Sequence, residues 1–174
     1  AEDGPSITLG TRVLVMRPTA GHARHHFCVW DADSHGWFSG DMFGICYPWF
    51  RFPEGDYVLP STTPTQFDPD AYLTSLELLD SYDPQRVYLT HYGAIDYTPQ
   101  ARADLASQVQ AYRQLALESQ SGAGELESLL TDYAVQSMHA FTPSADVEQL
   151  RRWLQFDVPL NAQGLSHWLQ EQVA

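Results

Sequence analysis

Short β-branched or aromatic runs in this chain are repeatedly bordered by a side chain that can bind a metal. FCVWD follows the cluster that holds His22, WFSG ends at Asp41, and RVYLTHYG carries His91 at its end. Runs of this length and composition read as strands. His22, Asp41 and His91 each lie at or just beyond a strand end, where side chains from neighbouring strands can converge. The chain must therefore lay several strands side by side.

Around these runs the punctuation is clear. TRVLVMR is closed by Pro18, and DADSHG has turn composition, so residues 26–40 read as a hairpin ending at Asp41. Residues 43–67 interleave Pro48, Pro53, Pro60 and Pro64 with Phe43, Tyr47, Trp49, Phe50, Phe52 and Tyr57. That composition resists regular structure and reads as a long ordered loop, which either shapes a binding site or is anchored to the surface by its aromatics. From Asp68 the pattern is helical, with Asp68 as N-cap, Pro69 in the first turn, and Leu73 and Leu76 at helical spacing. Thr98-Pro99 starts another helix with a stripe of Leu105, Val109, Tyr112 and Ala116, which SQSGAG breaks. Helical patterns follow near 124–141, 144–155 and 161–173. Strands, then strand and helix in alternation, then helices define an α/β or α+β class. The expected division is residues 1–120 and a helical tail, 121–174, packed on or beside them.

Composition narrows the partners. The formal charge is −13, with 22 acids against nine basic residues, all arginine. A nucleic acid needs a basic face, so the expected partner is a small molecule. No apolar run approaches a membrane span. Cys28 and Cys46 are too few and too irregular for a disulfide scaffold or a cysteine zinc site, which points to a reducing cytoplasm.

Imidazole nitrogen and carboxylate oxygen suit zinc, iron or manganese, and a carboxylate can bridge two metals. By that chemistry Asp41 is the candidate bridge. The stretches PTAGHARHH, FSGD and YLTHYG resemble, in order and spacing, the third, fourth and last metal motifs of the metallo-β-lactamase fold superfamily. The resemblance covers residues 11 to about 100, and the helical tail matches loosely. It implies the C-terminal half of an αββα sandwich with a helical C-terminal tail. It implies that His22 binds a first metal, Asp41 bridges two, and His91 binds the second. The ions would be zinc, with iron or manganese as alternatives, holding a hydroxide that attacks an ester, thioester, amide or phosphoester.

The family's H-x-H-x-D-H motif has no counterpart here. The chain is therefore expected to be the C-terminal half of such an enzyme, inactive alone and completed by the N-terminal half of the same protein or by a second copy of the chain. Two other readings stand beside this one. FSGDMFG resembles the aspartate motif of di-iron oxygen reductases, although GHAR departs from their H-W-P. A non-catalytic binding module could also keep the fold without the metals.

His26 falls four residues after His22, with a supporting or substrate-contacting role, and Tyr92 beside His91 could orient a substrate. Tyr47 adjoins the metal motifs in the same way. His25, His35, His139 and His167 read as ordinary surface or satisfied histidines, Cys28 as a small buried hydrophobe, and Trp153, Leu154, Trp168 and Leu169 as helical core.

Overall fold

A computed structural model describes residues 4–62, 65–119 and 123–173. Four strands run as an antiparallel meander: β1 (Ser6–Leu9), β2 (Arg12–Pro18), β3 (Phe27–Asp31) and β4 (Gly36–Gly40). The chain then leaves the sheet through the proline-rich loop, a small hairpin of β5 (Arg51–Phe52) and β6 (Gly55–Asp56), and helix α1 (Pro69–Asp80). It returns as β7 (Arg86–Leu89), which pairs parallel to β4, and β8 (Ala94–Asp96) closes the order β1-β2-β3-β4-β7-β8. Helices α2 (Pro99–Glu118), α3 (Ala123–Phe141), α4 (Val147–Leu154) and α5 (Asp157–Val173) complete the chain.

Register divides the sheet into two unlike faces. Val15, Trp30, Trp37, Val87 and Ile95 pair in one row across five strands, and all but the half-buried Val15 belong to the closed core. That row packs under the helices, and the core continues without a break from Cys28 to Trp168. Trp37 is fully buried, and its indole N–H donates to the Leu79 carbonyl of α1 at 3.1 Å. The neighbouring row, Met16, Val29, Phe38, Tyr88 and Ala94, points the other way. Among the described residues no helix covers it: Phe38 is 45% exposed and stacks on Tyr88, and Ile7 and Phe27 on the same face are also exposed.

The helices start where the caps say they should. Asp68 Oδ1 accepts from the N–H groups of Asp70 and Ala71, and Thr98 Oγ1 from that of Ala101. The stripe of Leu105, Val109, Tyr112 and Ala116 is buried as its spacing predicts.

Three features go beyond what the sequence patterns predict. β1 pairs outside TRVLVMR and forms the edge of the sheet, and FCVW is an interior strand. All four β1 residues are exposed, so the polar–apolar alternation of SITL marks no buried face. β8, three residues long, falls below what periodicity can resolve. Helix α5 begins at Asp157 rather than near residue 161, with Pro159 in its first turn, where the missing N–H has no helical partner to lose.

Adjacent residues of β4 therefore face opposite fates. Trp37→Ala should lower unfolding free energy by about 3–5 kcal/mol. Phe38→Ala, which loses little more than one stacked pair, should lower it by about 1 kcal/mol. Urea denaturation of the two variants measures both.

Candidate metal centre

The sheet topology puts three strand ends together. β2, β4 and β7 point the same way, because two antiparallel pairings relate β2 to β4 and β4 pairs parallel to β7. His22 follows β2, Asp41 follows β4 and His91 follows β7, so all three lie at one end of the sheet.

Between β2 and β3 the chain turns back tightly. The Thr19 N–H donates to the His26 carbonyl at 3.0 Å, and the His26 N–H to the Ala23 carbonyl at 3.1 Å. Gly21 lies against the first turn of α1, and its carbonyl accepts from the Asp68 N–H at 2.8 Å. A Cβ on Gly21 would stand 2.3 Å from Tyr72 Cα, and φ here is +132°, so only glycine permits the approach. His22 is thereby buried, with Nδ1 3.0 Å from the Ser61 carbonyl oxygen. A carbonyl can only accept, so Nδ1 carries a proton, and in the neutral ring Nε2 is then the bare nitrogen. That nitrogen lies 3.6 Å from Asp41 Oδ2.

Asp41 leaves β4 through Gly40, whose φ is +54° and whose Cβ, if present, would fall 2.4 Å from His26 Nε2. His26 is fixed from its other side, Nδ1 lying 2.9 Å from Thr19 Oγ1. Burial holds the His26 imidazole below its ordinary pKa, and nearby His22 acts in the same direction. His26 thus lies against Gly40, next to Asp41.

His91 occupies the turn from β7 to β8, which the Leu89 N–H closes on the Gly93 carbonyl at 3.1 Å. Tyr92 and Gly93 take up the reversal with φ of +71° and +98°. His91 Nε2 is 3.5 Å from Asp41 Oδ1. Each oxygen of one carboxylate therefore faces a different imidazole.

The separations indicate what the arrangement suits. At 3.5 and 3.6 Å the N···O pairs are too long for charge-assisted hydrogen bonds, which run about 2.7–2.9 Å. Two ligands on one tetrahedral ion, with bonds of about 2.0–2.1 Å, stand about 3.3 Å apart. An imidazole nitrogen and a carboxylate oxygen at that separation leave room for a cation between them, so the donor set fits a metal. Among the described residues no three His, Cys, Asp or Glu side chains close round an ion by themselves, and His91 is half exposed. A depression of about 420 Å³, lined by His22, Ala23, His25, His26, Phe27 and Asp41, opens beside the donors.

An aromatic group borders the other side. Tyr47 stacks on Trp49 with centroids 4.8 Å apart and packs on Tyr92 at 4.6 Å, and Tyr92 lies 6.0 Å from the His91 ring. The Tyr47 hydroxyl donates to Asp157 Oδ1 at 3.0 Å. Burial raises the pKa of both groups, and the Asp157 carboxylate next to it raises that of Tyr47 further. Sequence reasoning reached Tyr47 by adjacency but missed Ser61, which acts through its backbone, and Asp157, distant in sequence. His25 and His35 are exposed and His167 lies on the outer side of α5, whereas His139 is half-buried in α3.

No protein-family model matches the chain, and no curated protein sequence matches it. In structure it is similar to a metallo-β-lactamase family protein from Thermus thermophilus, with a TM-score of 0.59 and 19% identity over 100% of this chain and 49% of that one. Weaker likenesses are to a metallo-β-lactamase superfamily protein from Sulfolobus tokodaii (TM-score 0.49, 23% identity, 83% of this chain and 51% of that one) and a β-lactamase domain protein from Burkholderia ambifaria (0.44, 18%, 98% and 47%). The chain has the fold of the metallo-β-lactamase superfamily, as the motifs implied. It spans about half the length of the solved structures it matches.

Gly40→Ala should destabilise the chain by more than the roughly 1–2 kcal/mol of a left-handed alanine, because its Cβ also meets His26. Adding His26→Ala should remove that excess. A thermodynamic cycle of the two variants reads the coupling, expected at about 0.5 kcal/mol or more.

Proposed function

We propose that the chain supplies part of the metal centre of a hydrolase acting on an ester, thioester, amide or phosphoester. The observation that carries this reading is the Asp41 carboxylate, one oxygen toward His22 Nε2 and the other toward His91 Nε2. His22 would hold a first divalent ion, His91 a second, and Asp41 both. Zinc suits the nitrogen and oxygen donors best, with iron or manganese as alternatives. Such ions, when bound, supply Lewis acidity and activate water for hydrolysis.

The chain's own residues have separable tasks. The Ser61 carbonyl holds the proton on His22 Nδ1, which keeps Nε2 free to ligate. His26 supports the Asp41 turn. The exposed ring of Tyr92, beside His91 and backed by Tyr47, would orient a small substrate. With a formal charge of −13, a nucleic acid is not a partner this reading supports.

The remaining ligands would come from an N-terminal half whose sheet packs on the uncovered row of Met16, Val29, Phe38 and Tyr88. Matching about half of a longer relative supports that reading, as does an apolar sheet face without a helix over it. No helix among the described residues is long and apolar enough to cross a membrane. Free, buried Cys28 and Cys46 agree with the cytoplasm as the compartment.

Calorimetric titration with zinc tests the centre. The 174-residue chain should bind more weakly than about 1 μM, because its ligand set is incomplete. Asp41→Ala should abolish that binding, whereas His167→Ala should leave it unchanged. Undiminished binding by Asp41→Ala would overturn the assignment. The open face has its own test: the chain should bind an apolar dye, and Phe38→Asp should reduce the signal with little loss of stability.

A further inference from the structure

Helix α5 carries two buried polar residues one turn apart, Asp157 and Asn161, on a face whose other members, Val158, Ala162 and Leu165, are apolar. Burying an amide and a carboxylate there is unfavourable unless each is fully bonded, and an aliphatic residue would fill the space without that penalty. What these two groups bond to therefore indicates what they do.

Asn161 grips the crossover loop on both sides of one residue. Its Oδ1 accepts the Thr62 N–H at 2.8 Å, its Nδ2 donates to the Pro60 carbonyl at 2.9 Å, and its backbone carbonyl accepts the Thr62 hydroxyl at 3.0 Å. The residue between Pro60 and Thr62 is Ser61, whose carbonyl accepts the hydrogen bond from His22 Nδ1–H. Asp157, one turn earlier, accepts from Tyr47, and Tyr47 packs on Tyr92 next to His91. Farther along α5, Glu171 pairs with Arg24, two residues beyond His22, at 2.6 Å.

We infer that α5 is a positioning helix for the site. Asn161 sets the orientation and tautomer of the His22 ring through the Ser61 carbonyl, and Asp157 sets the His91 turn through Tyr47 and Tyr92. Neither residue touches the donors. Asn161 fixes the backbone segment that bonds His22, and Asp157 acts one step further off, through Tyr47 on the Tyr92 ring beside His91, so the two histidines, 69 positions apart in sequence, are referred to one element. The consequence for metal affinity rests on the reading of His22, Asp41 and His91 as ligands. The orientation of the rings does not.

Histidine-ring nitrogen spectra of the ¹⁵N-labelled, metal-free chain, recorded above the ordinary imidazole pKa, test this directly. In the wild type His22 should show one protonated and one bare nitrogen with widely separated shifts. In Asn161→Ala those shifts should draw together as the tautomers exchange. Thr62→Val keeps the volume and removes only the hydroxyl bonds; it should move them less, in the same direction, and gives a readout should Asn161→Ala not fold. Tyr47→Phe should move the His91 ring signals and leave those of His22 in place.

Zinc affinity of Asn161→Ala should fall about 10–100-fold, as for other groups that orient a ligand. A folded Asn161→Ala or Thr62→Val that keeps the wild-type His22 pattern overturns the inference for Asn161. An unmoved His91 in Tyr47→Phe overturns it for Asp157. A His22 ring that loosens in the variants while no form of the chain binds zinc upholds the positioning and overturns the metal reading instead.

Discussion

The parallel pairing of β4 with β7 is the constraint from which the rest of the arrangement follows. Parallel strands cannot be joined by a tight turn, so the chain must leave one end of the sheet and re-enter at the other. Here the crossover takes residues 41–85, and its first residue, Asp41, stands beside His91 because both strands finish at the same end. The Trp37–Val87 pairing seats this junction in the core, where the Trp37 indole also ties α1 to the sheet. The site is thus a by-product of how the sheet is closed.

The crossover also explains the proline-rich loop. A segment that must span the sheet end without regular structure still has to satisfy its backbone. It does so by the Ile45–Leu59 bridge and through side chains sent from elsewhere: Gln108 donates to the Val58 carbonyl, and Asn161 bonds Pro60 and Thr62. Its aromatics anchor it, Phe43 and Phe50 being fully buried. A loop held this firmly can present a single carbonyl, that of Ser61, to a histidine ring with a defined direction. The stiffness that prolines and aromatics impose on the chain becomes, at the site, stiffness of His22.

Much of this was legible in the sequence, and the remainder was hidden for identifiable reasons. The hairpin of β3 and β4 could be read because Cys28, Trp30, Trp37 and Ser39 alternate with residues of the other face. The helix starts at Asp68 and Thr98 could be read because capping is local chemistry. His22, Asp41 and His91 could be singled out because all three lie at strand ends. β1 was hidden because nothing buries it, and β8 because it is too short. The supporting groups were hidden for a different reason. Ser61 contributes a carbonyl, which every residue type possesses, and Asn161 and Asp157 are identifiable only once α5 is folded against the loop. Local pattern reveals donors, whereas the partners that aim them depend on tertiary contact.

The position of the depression beside His22 and Asp41 connects the two faces of the sheet. Its wall includes Phe27, an exposed residue of the uncovered face, whereas His22 is held from the covered side through Ser61 and α5. A second depression, lined in part by Met16, Pro18 and Phe27, shares His25 and His26 with the first and continues along that uncovered face. Donors at this sheet end are therefore aimed from one face and accessible from the other. A layer packed on Met16, Val29 and Phe38 would bury apolar surface at about 25 cal/mol per Å² and, in the same step, wall the depression and exclude water from the Asp41 carboxylate. Lower polarity there would strengthen every interaction of that carboxylate with a cation. On this geometry such a layer and a cation at Asp41 would favour each other, because Phe27 both lines the depression and belongs to the uncovered face.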